Sequence, residues 1–279
     1  MDAPSTKCPT VGSLFAGIGG FDLGFEQVGF TTSWQVEIND VCRAVLQDRF
    51  PHAQQFTDVR TCFPELWPVD VIIGGFPCQD VSQMGKRRGL AGARTGLFFD
   101  ALNIVNTLRP QWVVLENVTG LLTSNNGQDF QTVVESLAKC GYLGGWRVLD
   151  ARYFGVPTGR RRVFLVAGLG KQPPVEFMAN AGPMENISGK TAAGSCWSNA
   201  HRTLLTGIGH GCIDLGGSNI IAVPNGWDSM VERSRTITDD GLLKGLDEAN
   251  HQEVRASGNA VCPPVARWVA QKLKPTFMT

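Results

Sequence analysis

Two apolar runs end in residues able to do covalent chemistry. The first, Val69-Asp70-Val71-Ile72-Ile73-Gly74-Gly75-Phe76-Pro77, delivers Cys78, followed by Gln79 and, slightly later, Ser82. Glycine and proline shape a turn there, so the thiol projects beyond the end of a strand. A thiolate held in that place is a nucleophile, whereas a core cysteine at a tight turn is the plainer alternative. The second run, Trp112 to Leu115, ends in Glu116-Asn117-Val118. A carboxyl straight after an apolar strand is partly stripped of water and suited to sharing a proton. Taken alone it reads equally as a helix cap or a surface acid.

Two more run ends point to a nucleoside cofactor. Phe15-Ala16-Gly17-Ile18-Gly19-Gly20 lies between a strand and a helix, where glycines let backbone approach a ligand closely. Glu37 closes the next strand and is placed to accept hydrogen bonds from ribose hydroxyls, and Asp58 could receive an adenine amino group. The pattern does not say which nucleoside cofactor, and a generic tight turn also has this composition. Jointly the groups suggest a reaction. A thiolate adds to an electron-poor ring carbon, and an acid stabilises the ring nitrogen that takes up the charge. The cofactor then delivers an electrophile to the activated neighbouring carbon. Alkylation of cytosine at C5 needs that chemistry.

The elements that must hold these groups alternate along residues 11–168, the pattern of a parallel α/β sheet. Val11–Phe15, Ser33–Glu37, Val69–Ile73 and Trp112–Leu115 read as strands, and Trp146–Leu149 and Arg162–Ala167 as strands near the sheet edge. A helix begins near Asp22. Leu97, Ala101, Ile104, Val105 and Leu108 share one helical face. Phe130, Val133, Val134, Leu137 and Ala138 mark another helix, stopped by Gly141. In an open sheet of this kind, ligands bind beyond the carboxyl ends of the strands, where all four chemical stretches fall. Between Gln79 and Thr95 the glycines and Lys86-Arg87-Arg88 predict a mobile basic lid, with Arg94 near its end. Residues 171–252, rich in Gly, Pro, Asn and Ser at their start, predict a small irregular lobe. Pro263 and Pro264 then open a last helix, with Val265, Trp268 and Val269 on its apolar face, that packs back on the first domain. The expected division is therefore 1–170 completed by 253–279, with 171–252 separate.

The 279 residues are 43% hydrophobic and 18% charged, the composition of a packed protein rather than a disordered one. No apolar run is long enough to span a membrane, and the first residues lack the apolar core of a signal peptide, so the expectation is a cytoplasmic protein. The eight cysteines contain no Cys-x-x-Cys pair, which argues against a zinc site or a disulfide framework. Formal net charge is zero, so nucleic acid would have to be met by local patches. Lys86, Arg87, Arg88, Arg94 and the run Arg160-Arg161-Arg162 supply such patches beside the site.

The chain resembles the DNA (cytosine-5)-methyltransferase family over residues 11–168 and 253–272. The resemblance rests on five stretches in family order: residues 15–20, Pro77-Cys78-Gln79, Glu116-Asn117-Val118, Arg160-x-Arg162, and Gly258-Asn259-Ala260-Val261. It implies a Rossmann-like methyltransferase fold with a small target-recognition lobe, S-adenosylmethionine as cofactor and double-stranded DNA as substrate. Phe15, Gly17, Gly19 and Gly20 would surround the methionine part of the cofactor. Glu37 would hold its ribose, and Ile38, Asp58, Val59, Phe76 and Leu97 its adenine side, with Asn259 and Ala260 as buttress. Cys78 would attack C6 of a cytosine flipped out of the duplex. Glu116 would contact N3 and the exocyclic amine. Arg162 would fix the base, and Arg160 would bind phosphate or order the site. Pro77, Gln79, Ser82, Asn117 and the basic residues of the lid would line the substrate. The chain departs from the family pattern at Thr158, where Gln is usual, and at Ala260, where Ser is common. In the short lobe, Arg202, His201, His210, Asn219, Arg233 and Arg235 are candidate DNA contacts. The small lobe also suggests a short recognition site or an accessory partner for an otherwise monomeric enzyme.

Three rivals remain at this level. A transfer-RNA methylase of the same fold is disfavoured by the lack of a Cys-Phe-Thr stretch. An NAD-dependent dehydrogenase leaves Cys78, Glu116 and Arg162 unexplained. A silent DNA-binding member sits poorly with an intact set of those three residues.

Overall fold

The computed structural model describes residues 8–77, 96–156, 158–178 and 258–278. Cys78 to Thr95 and most of the expected small lobe lie outside the described residues. The strands are β1 (Thr10–Leu14), β2 (Thr31–Val36), β3 (Gln54–Phe56), β4 (Val71–Gly74), β5 (Trp112–Val118), β6 (Tyr142–Asp150) and β7 (Arg161–Leu169). They form one seven-stranded sheet in the order β3-β2-β1-β4-β5-β7-β6.

Strict alternation in the central strands builds a core on each face of this sheet. Ile72, Val113 and Leu115 point to one cluster, and Val71, Ile73, Trp112 and Val114 to the other. Helices cover both faces. α3 (Gly96–Leu108) and α4 (Gln128–Lys139) contribute Phe98, Ile104, Val133 and Leu137 to the first cluster. α1 (Gly20–Glu26) and the last helix contribute Phe21, Phe25, Val265 and Val269 to the second. The sequence placed Ala101, Ile104 and Val105 on the buried face of α3, and they are buried there, joined by Phe98. Two elements not expected from the sequence complete the sheet half that carries Glu37. They are the short strand β3 and α2 (Asp40–Arg49), capped by the Asn39 side chain accepting from the Cys42 amide.

One expectation needs correction. The sheet is not wholly parallel, because β7 runs antiparallel to both β5 and β6. Residues 151–160, which join β6 to β7, contain among the described residues a single turn of 3-10 helix, Ala151–Phe154, and are too few for a crossover. The reversal brings the start of β7 to the carboxyl end of β5, with Arg162 opposite Val118 and Phe164 opposite Glu116.

The C-terminal part closes the structure. α5 (Val175–Met178) buries Phe177 in the second core cluster, so the first residues of the expected small lobe pack on the sheet domain. α6 (Pro263–Leu273) lies against α1. The approach is close because α1 has glycines where they meet: a Cβ at Gly24 would come within 2.5 Å of the Ala266 Cβ, and one at Gly20 within 2.2 Å of the Val261 carbonyl oxygen. Among the described residues no helix is long and apolar enough to cross a membrane. Replacing Gly24 by Leu is expected to force α1 and α6 apart and cost about 2–3 kcal/mol. Urea titration would show this as a lower midpoint with an unchanged slope.

Candidate active site

The carboxyl ends of β1, β2 and β3 form one half of the site. β1 ends at Leu14, and the chain turns through Phe15 and Gly17, both with positive φ, at 55° and 57°. A Cβ at Gly17 would meet nothing within 4 Å, so the turn opens on free space. Gly19, also with positive φ (81°), is the N-cap of α1, and Phe50 fills the space beside it. Glu37 follows β2. Its Oε2 accepts from the Gly17 amide at 2.7 Å and its Oε1 from the Asn39 amide at 2.8 Å. Arg43, from α2, donates to the Glu37 and Ile38 carbonyls. The carboxylate is thus oriented from both sides, and Ile38 beside it stands 65% exposed. Past β3, Asp58 is gripped by the Arg60 guanidinium and amide, which hold its carboxyl below the usual carboxylate range. Val59 is buried in the core beneath, with Leu97 packed against the same cluster.

A buried polar group underlies this half. Asp22, in the first turn of α1, accepts from Ser13 Oγ and from Gln35 Nε2, each at 3.0 Å. Burial pushes its carboxyl up to about 6, against the lowering effect of those two donors. None of the three was singled out from the sequence. The available signal was a polar residue inside each of two apolar strands and one apolar helix face.

The other half forms at the ends of β4 and β5. Glu116 is 7% exposed. Its Oε1 takes Arg162 Nε at 3.1 Å and Arg160 at 3.4 Å. Its Oε2 faces Gly75, where a Cβ would lie 3.4 Å away, and accepts no hydrogen bond among the described residues. Arg160 is itself buried and donates to the carbonyls of Gly258, at 2.7 Å, and Asn259, at 3.2 Å. Of the two roles expected for it, ordering the site fits this burial better than phosphate contact. Burial and the neighbouring Arg160 charge push Arg162 below the ordinary arginine value, with Glu116 opposing. Asn117 turns inward. Its amide donates to the Phe76 carbonyl at 3.2 Å and its oxygen accepts from the Val118 amide. That bond anchors the backbone just before Pro77. Phe76 is buried against Phe98. Cys78, Gln79, Ser82, Lys86, Arg87, Arg88 and Arg94 lie outside the described residues, as do the candidate contacts at 201, 202, 210, 219, 233 and 235.

The segment 258–262 joins the halves. Gly258 and Asn259 hold Arg160, the Val261 carbonyl fills the hollow at Gly20, and Ala260 packs by Ile18 and Cys42. Gly20 therefore serves this packing as well as the turn. Cys262, half-buried beside Arg160 and Glu116, was not foreseen, and burial pushes its thiol up.

The arrangement offers an open glycine turn with an oriented carboxylate on one side. On the other it offers a carboxyl with one oxygen neutralised by arginines and the other directed at the end of β4. The model of the family described as C-5 cytosine-specific DNA methylase matches residues 10–202. The Type II methyltransferase M2.BsuMI of Bacillus subtilis (strain 168) is 31% identical over 293 residues, covering 94% of this chain and 74% of that protein. The Type II methyltransferase M.Bsp6I of Bacillus sp. (strain RFL6) is 39% identical over 160 residues, covering 56% of this chain and 51% of that protein. Among solved structures, that of the S. pombe Dnmt2 methyltransferase covers 96% of this chain and 99% of its own, with a TM-score of 0.60 and 16% identity, a likeness of fold.

Two predictions follow from the site's electrostatics. Arg160→Met leaves Glu116 with Arg162 alone and strands the Gly258 and Asn259 carbonyls; the loss expected in denaturant titration is about 3 kcal/mol. Asp22 has a folded pKa above its unfolded value, so its contribution to stability is full below about 4 and is lost as pH rises through about 6. Asp22→Asn is therefore expected to match the wild type in stability near pH 4 and to exceed it by about 2–3 kcal/mol at pH 8.

Proposed function

The chain belongs to the C-5 cytosine-specific DNA methylase family, and on that footing we propose that it methylates C5 of a flipped cytosine in duplex DNA with the residues just described. It is an enzyme of a family whose methyl donor is S-adenosylmethionine, and the relatives it resembles are Type II methyltransferases. The observation that carries the assignment of residues is Glu116: a buried carboxyl held on one oxygen by two guanidinium groups and, among the described residues, accepting no hydrogen bond on the other, beside the strand end that leads to Cys78.

The cofactor fits the first half-site. Gly17 leaves open space over the turn, Glu37 presents oriented oxygens to a ribose, and Ile38 offers an exposed apolar surface to an adenine. Asp58 would meet the adenine amino group while held by Arg60. When bound, S-adenosylmethionine supplies an electrophilic methyl group.

In the second half-site the Cys78 thiolate adds to C6 of the base, forming a carbon–sulfur bond. The displaced electron pair moves toward N3, where Glu116 shares a proton, and C5 becomes nucleophilic. Arg160 and Arg162 keep charge balanced around Glu116 throughout. Asn117 fixes the Phe76 backbone and so the approach of the nucleophile. After C5 is methylated, its proton leaves to a base, the freed electron pair re-forms the C5–C6 double bond as the carbon–sulfur bond breaks and the thiolate departs, and the proton shared with N3 returns to Glu116. We also take residues 171–252 as the target-recognition lobe, and the enzyme as a monomer in the cytoplasm, with an accessory partner a feature its short lobe would allow. A transfer-RNA substrate has no observation that favours it over DNA.

Bisulfite sequencing of plasmid DNA from a methylation-free host expressing the chain tests the reading. Cytosines protected in one short sequence context are expected. Unprotected DNA together with methylated transfer RNA would replace the substrate. Cys78→Ala is expected to abolish methylation while calorimetry still detects S-adenosylmethionine binding. Full activity in that variant would remove Cys78 from the mechanism. Glu116→Gln should lower kcat by about 100-fold or more, measured with tritiated cofactor.

A further inference from the structure

We propose that Asp22 is a positioning residue for the cofactor half-site, holding the glycine turn and α1 in register with the strand ends that carry Phe15 and Glu37. The inference rests on the cofactor reading above.

Ser13 and Gln35 are register partners across β1 and β2, so their side chains leave the same face of the sheet. Both are fully or almost fully buried, and both reach α1 through one carboxylate. A carboxylate only accepts, so it can take the Ser13 hydroxyl and the Gln35 amide at once. The residue is a poor choice for stability alone. It is 0% exposed, it has no ion pair among the described residues, and the charged group acting on it is Glu26, of like sign. Such burial is unfavourable, and an apolar side chain would fill the space more cheaply if packing were the only requirement.

The geometry says what the carboxylate adds. The backbone ladder fixes β1 to β2 but not to α1, whose first turn carries Gly20 and is entered through Gly17. Two residues beyond Ser13 is Phe15, and two beyond Gln35 is Glu37. The Gly17 amide meets Glu37 Oε2 at 2.7 Å. The turn and the end of β2 are therefore joined at the rim, by the Gly17 amide to Glu37 and by the Ala16 amide to the Val36 carbonyl at 3.0 Å, while at Asp22 the first turn of α1 is joined in the core to both strands. Without the buried link, α1 keeps its apolar packing, its seam with α6 and, at its far end, the Thr32 amide bond to Glu26, but its first turn loses the polar tie that sets the glycine turn against both strand ends.

The test compares Asp22→Leu with Asp22→Asn in two measurements. Amide hydrogen exchange of the cofactor-free protein reports the Gly17–Gly20 turn directly. Calorimetric titration with S-adenosylmethionine reports binding. Asp22→Leu is expected to lose protection across the turn and to raise Kd about tenfold or more, a loss of the size expected for stranding buried polar partners. In steady-state assays the KM for the cofactor should rise with kcat changed by less than about threefold, the separation expected when binding rather than chemistry is lost. Asp22→Asn keeps the shape and can still bond Ser13 and, with the Gln35 amide turned, Gln35; it should stay near the wild type in both measurements. If Asp22→Leu fails to fold, the double variant Ser13→Ala with Gln35→Ala removes both bonds from the other side and carries the same expectation. A folded Asp22→Leu or double variant with wild-type exchange and wild-type Kd overturns the proposal. Wild-type protein that takes up no S-adenosylmethionine, while Asp22→Leu still loses protection at the turn, would instead refute the cofactor reading and leave the positioning role intact.

Discussion

Glu116 lies buried at the end of β5 against two guanidinium groups, and the elements around it are arranged to bring those groups there. Desolvating Glu116 costs more than any one hydrogen bond returns. Arg162 and Arg160 supply the charge, the one from the start of β7 and the other from the residue just before it, and the strand must run backwards to place them there. A wholly parallel sheet would carry the start of that strand to the opposite end. The antiparallel β7 is thus the geometric answer to an electrostatic requirement. Arg160 brings its own requirement, since a buried guanidinium needs acceptors for more than one N–H. The carbonyls of Gly258 and Asn259 meet it. Residues far apart in the chain are in this way bound to one charge balance.

The same C-terminal segment reaches across to the glycine turn. The Val261 carbonyl occupies the hollow that Gly20 leaves, and α6 follows into the gap at Gly24. Two half-sites on different strands therefore share one wall. Shifting that wall at Arg160 alters what Gly20 packs against, and crowding Gly20 alters where the Arg160 acceptors lie. The buried Asp22 group adds a second tie on the cofactor side, below the turn rather than beside it.

Much of this was legible in the residues. Alternating apolar positions gave the central strands, one helical face gave α3, and strand-end chemistry marked Glu37 and Glu116. The antiparallel β7 was hidden because periodicity reports that a strand exists, not its direction; only the short linker after Asp150 carried that information. β3 was missed because three residues, Gln54-Gln55-Phe56, show no alternation to read. Asp22, Ser13 and Gln35 escaped notice for another reason. Each is an ordinary polar residue locally, and its meaning arises only when β1, β2 and α1 meet. Gly20 was legible as a glycine needed for a turn, but its φ is not positive, and the reason for it lies in Val261, more than two hundred residues away.

The seam between α1 and α6 also bears on how the protein is made. Synthesis proceeds from β1 to β7 and then through a long intervening stretch before Gly258 to Leu273 emerge. Until then the flank of α1 at Gly20 and Gly24 has no partner, and Arg160 lacks the carbonyls that hold it. Contacts of such sequence separation form late and slowly. A nascent chain whose glycine turn and Glu37 have already been made therefore still leaves Arg160 without the carbonyls of Gly258 and Asn259, and the surroundings of Glu116 are finished only once α6 has docked.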